Sequence, residues 1–277
     1  MLEIGVIGFN RGRKVLDIIK KTNLDIKITA IFDPYLKQKK ISNGIVIFNN
    51  EKDFYNNSDF KNVYIASPVK FHAAQTINAL KKNKNVLCEV PSFTKTIDGK
   101  RIFKIIKKKK LIYNIAENYL FIPQHLALEK LIKKNFFGEI VYARSSYIHD
   151  CKKLSYDNKT NKLTWRGLER LNFSGNDYPT HSLAPLTNFL KCSHNNQNEK
   201  LKFIQSYSTK EVSTTDFFNT KKKIHKKYKF KRGDISLSKI ITDKKTLIDL
   251  ICDTTSNRPS SMIDLYIQGS KGAYISG

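Results

Sequence analysis

Near the N-terminus the chain reads Gly5-Val6-Ile7-Gly8-Phe9-Asn10-Arg11-Gly12-Arg13, with glycines where an apolar run gives way to a polar one. A turn of that kind brings backbone amides and a helix N-terminus against a pyrophosphate. Asp33 closes the next apolar run, roughly twenty residues on, where a carboxylate accepts ribose hydroxyls and repels a 2′-phosphate. Together these residues read as a dinucleotide site, with Gly8, Phe9, Asn10, Arg11, Gly12 and Asp33 as candidate contacts and NAD favoured over NADP. Against the pattern G-x-G-x-x-G the loop is short of one residue and one glycine. Asn10 sits near that place, and asparagine tolerates the left-handed backbone of a tight turn.

The elements that must position such a site alternate along the first half. Leu2 to Ile7 reads as a strand, Lys14 to Lys21 as a helix and Ile26 to Phe32 as a strand. Strands follow at Gly44 to Phe48, Asn62 to Ala66, Asn85 to Cys88 and Leu111 to Ile115, with helices at Phe71 to Lys82 and Ile97 to Lys109. Strands separated by helices require long crossovers, so residues 1–118 are expected to form a doubly wound parallel sheet of Rossmann type. Ligands of such sheets sit beyond the carboxyl ends of the strands. Ser67, Pro68 and His72 after one strand, Glu89 and Val90 after the next, and Asn118 therefore join the cofactor set. Read alone, His72, His125, His194 and His225 are ordinary surface or hydrogen-bonded core histidines.

Residues 119–277 differ. After a helix from Pro123 to Lys134, strand-like runs at Ile140 to Ser146, Leu201 to Ser206, Thr246 to Cys252 and Ile263 to Gln268 have few helices between them. An α+β domain with an open, mainly antiparallel sheet is expected, with irregular loops at 151–176 and 192–200.

Of the 277 residues, 50 are Lys or Arg and 24 Asp or Glu, a formal charge of +26. The basic set is 42 Lys against 8 Arg, whereas base and phosphate recognition leans on the arginine fork, so the charge reads as compositional drift rather than nucleic-acid binding. The run from Lys221 to Arg232 interleaves His225, Tyr228 and Phe230 with lysines and is expected to be a lysine-protected edge strand. Cys88, Cys151, Cys192 and Cys252 are widely spaced, which indicates reduced thiols and no metal site. No stretch approaches the ~18 apolar residues of a membrane span, and residues 1–8 lack the marks of a secretory signal. A soluble, cytoplasmic protein is expected.

Further strings resemble a known family. Cys88-Glu89-Val90-Pro91 resembles the E-K-P turn of the Gfo/Idh/MocA oxidoreductases, in the form E-V-P. Ala116-Glu117-Asn118, Phe137-Gly138-Glu139-Ile140, Tyr147-Ile148-His149-Asp150, Trp165-Arg166 and Gly175-Asn176-Asp177-Tyr178-Pro179-Thr180-His181 are similar to the NAD-dependent α-N-acetylgalactosaminidases of glycoside hydrolase family 109. The resemblance implies a route in which NAD takes a hydride from the sugar's third carbon, a base removes the acidified neighbouring proton, the aglycone is eliminated, water adds and the hydride returns. It implies His149 and His181 as bases, Tyr147 and Tyr178 as hydroxyl donors that also meet the substrate, Arg166 as the substrate clamp and Glu117 as a carboxylate beside the nicotinamide. The substrate is then a sugar or glycoside, and a homo-oligomer through the open sheet follows by analogy.

Three features depart from that pattern: Arg258-Pro259-Ser260-Ser261-Met262 carries serine where the family's R-P-Y-S-R has tyrosine, the loop lacks a glycine, and the tail after the last strand is short. They bear on hydrolysis more than on NAD binding. A Gfo/Idh/MocA oxidoreductase acting on a sugar or cyclitol, or a non-catalytic member, is the alternative.

Overall fold

The computed structural model describes residues 1–36, 40–41, 44–56, 59–176, 178–220 and 228–276. Contacts divide the chain into two units, Met1–Glu117 and Asn118–Gly277.

In the first unit the apolar runs become β1 (Leu2–Ile7), β2 (Ile26–Phe32), β3 (Lys40–Ile41), β4 (Ile45–Phe48), β5 (Asn62–Ile65), β6 (Asn85–Cys88) and β7 (Tyr113–Ile115). Between them lie α1 (Phe9–Thr22), α2 (Glu51–Asn56), α3 (Val69–Lys81) and α4 (Thr96–Lys109). The sheet order is β3-β4-β2-β1-β5-β6-β7, parallel except for β3. Chain order reverses between β1 and its neighbour β5, which opens a crevice at their carboxyl ends. Side-chain alternation along β1 and β5 feeds two cores. Ile7, Val63 and Ile65 pack with Phe54, Phe60, Leu80 and Ile102, while Val6 and Tyr64 pack with Phe9, Ile28 and Ile31. Burying one such large apolar side chain contributes about 1.5–3 kcal/mol.

The second unit starts with a 3-10 turn (Asn118–Phe121) and contains α5 (Pro123–Lys133), β8 (Ile140–Ile148), a 3-10 turn (Lys152–Ser155), β9 (Tyr156–Asp157), β10 (Lys162–Leu163), α6 (Trp165–Asn172) and α7 (Thr180–Cys192). β11 (Leu201–Ser208), α8 (Ser213–Asn219), β12 (Ile235–Thr242), β13 (Leu247–Asp253), β14 (Ser261–Gly269) and β15 (Ala273–Ile275) complete it. Its six-stranded sheet runs β11-β12-β13-β8-β14-β15. Every adjacent pair is antiparallel except β13 with β8, so the sheet is mixed. Ala143, Ile240, Ile248, Leu250, Leu265 and Ile267 pack against Leu128 and Ile132 of α5 and Leu186, Phe189 and Leu190 of α7. That contact fixes α7, and with it residues 180 and 181, over the sheet.

Several sequence expectations need correction. α1 starts at Phe9, so Asn10 is helical; the positive φ in the loop, +86°, belongs to Gly8. Residues 151–176 are not irregular, because Thr164 caps α6 by accepting from Gly167 N at 3.3 Å and β9 pairs with β10. β12, α7 and α8 also lie where the sequence pattern indicated no element. In the basic run, residues 221–227 and His225 with them lie outside the described residues; Tyr228 to Arg232 form no strand, and Phe230 is buried beside Phe218 and Tyr156. Among the described residues no helix is long and apolar enough to cross a membrane.

Burial pushes the Tyr55 and Tyr64 phenols far above the usual tyrosine range, and for Tyr64 a hydrogen bond to Glu89 adds to the effect. On unfolding both would release protons above about pH 10, while the folded chain keeps them. The unfolded state then binds fewer protons, and stability falls by up to about 1.4 kcal/mol per pH unit for each phenol. Urea unfolding midpoints are therefore expected to drop between about pH 9 and about pH 11, less steeply in Tyr55→Phe. A midpoint indifferent to pH there, or a slope unchanged by the substitution, contradicts this account.

Candidate active site

The first unit supplies a cradle at the β1–α1 turn. A Cβ built on Gly8 would lie 2.6 Å from Ser67 N and 2.7 Å from Ala66 C, so only glycine lets the ends of β1 and β5 approach this closely. One on Gly12 would meet Val6 Cγ1 at 2.5 Å, which seats α1 against β1. The first turn of α1 has no acidic residue of its own, and its amides and the positive end of the helix dipole suit anions, the Asp33 carboxylate on Phe9 N being one.

Asp33 accepts from Phe9 N at 2.9 Å through one carboxylate oxygen and from Tyr35 N at 3.0 Å through the other. An ionised carboxylate has about four acceptor positions, so capacity for ribose hydroxyls remains. Glu89 accepts from Tyr64 Oη at 2.7 Å and pairs with Arg11 Nε at 3.0 Å, tying the loop arginine to the end of β6. Val90 is buried, and Ser67 Oγ donates to Gln75 at 2.5 Å next to Pro68 at the start of α3. His72 is 1% exposed, with Nδ1 2.8 Å from Pro91 O and Nε2 2.6 Å from Ser67 O. Both ring nitrogens thus meet backbone carbonyls, and the ring braces the loops after β5 and β6. Glu117 is buried at the end of this unit. The residues present fit NAD: a helix N-terminus at the end of β1, a glycine cradle, Arg11 in the first turn of α1 and a carboxylate at the end of β2.

In the second unit the end of β8 and the start of α7 bring together four of the expected residues. Tyr147 Oη lies 3.1 Å from His149 Nδ1. The Tyr147 and Tyr178 rings stack 5.6 Å apart, and the His181 ring lies 5.3 Å from Tyr147 and 4.8 Å from Tyr178. Burial, then the neighbouring Cys151, Tyr119, Tyr178 and Cys252, drive the Tyr147 phenol far above its ordinary range. It therefore stays protonated near neutrality and can donate to His149. Tyr178 is set by an Asx turn, its N–H donating to Asn176 Oδ1 at 3.0 Å; Asp177 of the same string lies outside the described residues. Arg166 is exposed on α6 with its guanidinium 4.1 Å from the Trp165 ring centroid. Asn118 is exposed at the start of its 3-10 turn.

The structure adds residues that sequence reasoning passed over. Tyr119 packs with Tyr147 and Cys252 and stacks on His181. Buried Lys152 donates to Thr255 O at 2.7 Å and Asn257 Oδ1 at 3.0 Å, and buried Arg170 donates to Thr254 O at 2.9 Å. These two cations grip the backbone that leads into Arg258-Pro259-Ser260, where Ser260 is exposed. No local pattern marks any of the three.

Residues 122–276 match the family described as glycosyl hydrolase 109, C-terminal domain. The chain belongs to the glycosyl hydrolase 109 family. Residues 2–117 match the Gfo/Idh/MocA oxidoreductase family, NAD-binding Rossmann fold, so the first unit of this family 109 chain is an NAD-binding domain. A glycosyl hydrolase family 109 protein of Solibacter usitatus (strain Ellin6076) is 27% identical, covering 99% of this chain and 65% of the relative. An alpha-N-acetylgalactosaminidase of Shewanella oneidensis is 24% identical, covering 86% and 52%. The chain thus spans about half to two thirds of the length of the curated relatives it matches. Among solved structures, scyllo-inositol dehydrogenase from Lactobacillus casei with bound NAD(H) and scyllo-inositol shares 16% identity with a TM-score of 0.74, covering 99% of this chain and 75% of that one. The WlbA dehydrogenase from Bordetella pertussis, in complex with NADH and UDP-GlcNAcA, shares 15% identity with a TM-score of 0.74, covering 98% and 72%. At these identities the likeness is one of fold.

Asp33→Asn keeps an acceptor for Phe9 N and removes the charge that repels a 2′-phosphate. The preference for NADH over NADPH in a fluorescence titration is expected to narrow about tenfold, an electrostatic change of about 1.4 kcal/mol. An unaltered ratio would remove Asp33 from the ribose site.

Proposed function

We propose that this chain is an NAD-dependent glycosidase of the α-N-acetylgalactosaminidase type. The observation that carries the reading is the cluster of Tyr147, His149, Tyr178 and His181 in the second unit of a chain whose first unit is an NAD-binding domain. The naming of one relative as an alpha-N-acetylgalactosaminidase supplies the substrate class.

NAD, when bound, supplies reversible removal of a hydride from the sugar ring. The chain's own residues do the rest. His181 and His149 take and return protons at their ring nitrogens, work for which imidazole is suited near neutral pH. The protonated phenol of Tyr147 and the hydroxyl of Tyr178 donate to oxygen atoms on which negative charge develops, and Arg166 orients the sugar. Val90 can neither accept nor donate a proton, so it only lines the dinucleotide site. Gly8, Phe9, Asn10, Arg11, Gly12, Asp33, Ser67, Pro68, Glu89, Val90 and Asn118 hold or border the dinucleotide, His72 acts through the loops it braces, and Glu117 stands near the nicotinamide. Four widely spaced cysteine thiols outside any disulfide suit a reducing compartment such as the cytoplasm. Phe203, Tyr207, Leu237 and Ile241, exposed on one face of β11 and β12, support a homo-oligomer through the open sheet.

Purified protein supplied with NAD is expected to cleave a chromogenic α-N-acetylgalactosaminide without net accumulation of NADH. His181→Ala is expected to lower kcat about 10²–10⁴-fold while the dinucleotide stays bound. NADH accumulating on addition of a free sugar or cyclitol would establish the dehydrogenase alternative instead. Unchanged turnover in the variant would take His181 out of the site.

A further inference from the structure

The geometry points to Tyr119 as the residue that sets the plane of the His181 imidazole, held in place by His125; the inference rests on the proposed role of His181. Rotation of a histidine ring about χ2 is broad and roughly two-fold, so packing must choose its plane. Three phenol rings meet this imidazole. Tyr178 is edge-on and Tyr147 is tilted, at interplanar angles of 62° and 52°. Tyr119 lies flat against it, with centroids 3.9 Å apart and planes 12° from parallel. Of the three contacts, the parallel one constrains rotation most directly, because turning the imidazole would drive its edge into the phenol face.

Tyr119 is itself fixed. It is 6% exposed, its ring meets Tyr147 at 63°, and its carbonyl oxygen lies 2.6 Å from His125 Nδ1. His125 is 4% exposed on α5 and packs edge-on against Phe189 of α7, the helix that begins next to His181. The contacts therefore form a closed circuit, from His181 through Tyr119 and His125 to Phe189 and back along α7. Pro185 lies inside that helix and has no N–H to donate to the His181 carbonyl, so helical hydrogen bonding alone leaves residue 181 less restrained. Tyr119 is thus a positioning residue, and His125, otherwise an ordinary core histidine, is its brace.

The test has two readouts. In NMR spectra of protein without substrate, with His181 assigned through His181→Ala, its ring protons are expected upfield of the ordinary histidine range. That displacement should persist in Tyr119→Phe and disappear in Tyr119→Leu; Tyr119→Met serves if the leucine variant fails to fold. Ring protons at ordinary positions in the wild type, or upfield in both aliphatic variants, overturn the inference whatever the reaction proves to be. In turnover, the aliphatic variants are expected to lose about 10- to 100-fold in kcat at nearly constant KM, with Phe restoring most of it. Equal kcat in wild type and leucine variant also overturns it. His125→Phe should lower kcat less than Tyr119→Leu and add nothing to it in the double variant, whereas additive losses would refute the brace. Wild-type protein that cleaves no glycoside would sink the functional reading and leave the NMR measurement to decide the positioning.

Discussion

Position 8 has no room for a side chain. The carboxyl ends of β1 and β5 come so close that a single methyl group there would overlap the backbone of residues 66 and 67, and the local φ of +86° is one that L side chains rarely adopt. The dinucleotide cradle of the first unit follows from this constraint. Because the chain can turn within one residue, α1 starts at once and aims its first-turn amides into the crevice where strand order reverses. Asp33, at the end of β2, then lies close enough to bond the first amide of that helix. The His72 brace and the Arg11–Glu89–Tyr64 link fasten the neighbouring strand ends to the same place.

The second unit works by a different rule. Of the four clustered residues, Tyr147 lies near the end of a central strand and His181 in the first turn of a packed helix, with His149 and Tyr178 just outside those elements. Strand and helix are both rigid elements, and side chains on rigid elements are held more precisely than those on loops. Burial around Tyr147 favours a neutral phenol, and the rings of Tyr119, Tyr147 and Tyr178 pack around the imidazole of His181. Two of its buried cations, Lys152 and Arg170, meet backbone and side-chain oxygens of one loop, and Lys152 also pairs with Asp150 at 3.2 Å. Burying cations is costly unless such acceptors meet them, and leaving those acceptors unmet would be costly in turn.

Much of the first unit was legible because its elements follow strong local rules. Apolar runs of strand length, helices with periodic faces and a glycine turn closed by Asp33 each carry their own signal. The second unit was harder to read for identifiable reasons. β12 alternates, but its inward residues are Ser236, Ser238, Ile240 and Thr242 while Leu237 and Ile241 face out, so apolar content misstates its buried side. Pro185 interrupts the pattern of α7, and α2 and α8 are too short to show a period. Lysine-rich Tyr228 to Arg232 resembled an edge strand, yet its aromatic residues pack as a side cluster, and β11 is the edge.

The amino-acid order by itself determined the parallel sheet, the dinucleotide turn and the strings that carry His149, Tyr178 and His181, since each is written in residues close together in the chain. Only the tertiary structure decided that Tyr119 covers one face of His181, that His125 steadies it, that His72 braces the loops after β5 and β6, and that Lys152 and Arg170 hold the approach to Ser260. Apart from the Tyr119–His125 and His72–Ser67 contacts, those relations join residues far apart along the chain. Packing of α5 and α7 on the sheet brings the members of the imidazole circuit together, and no local spacing encodes that proximity.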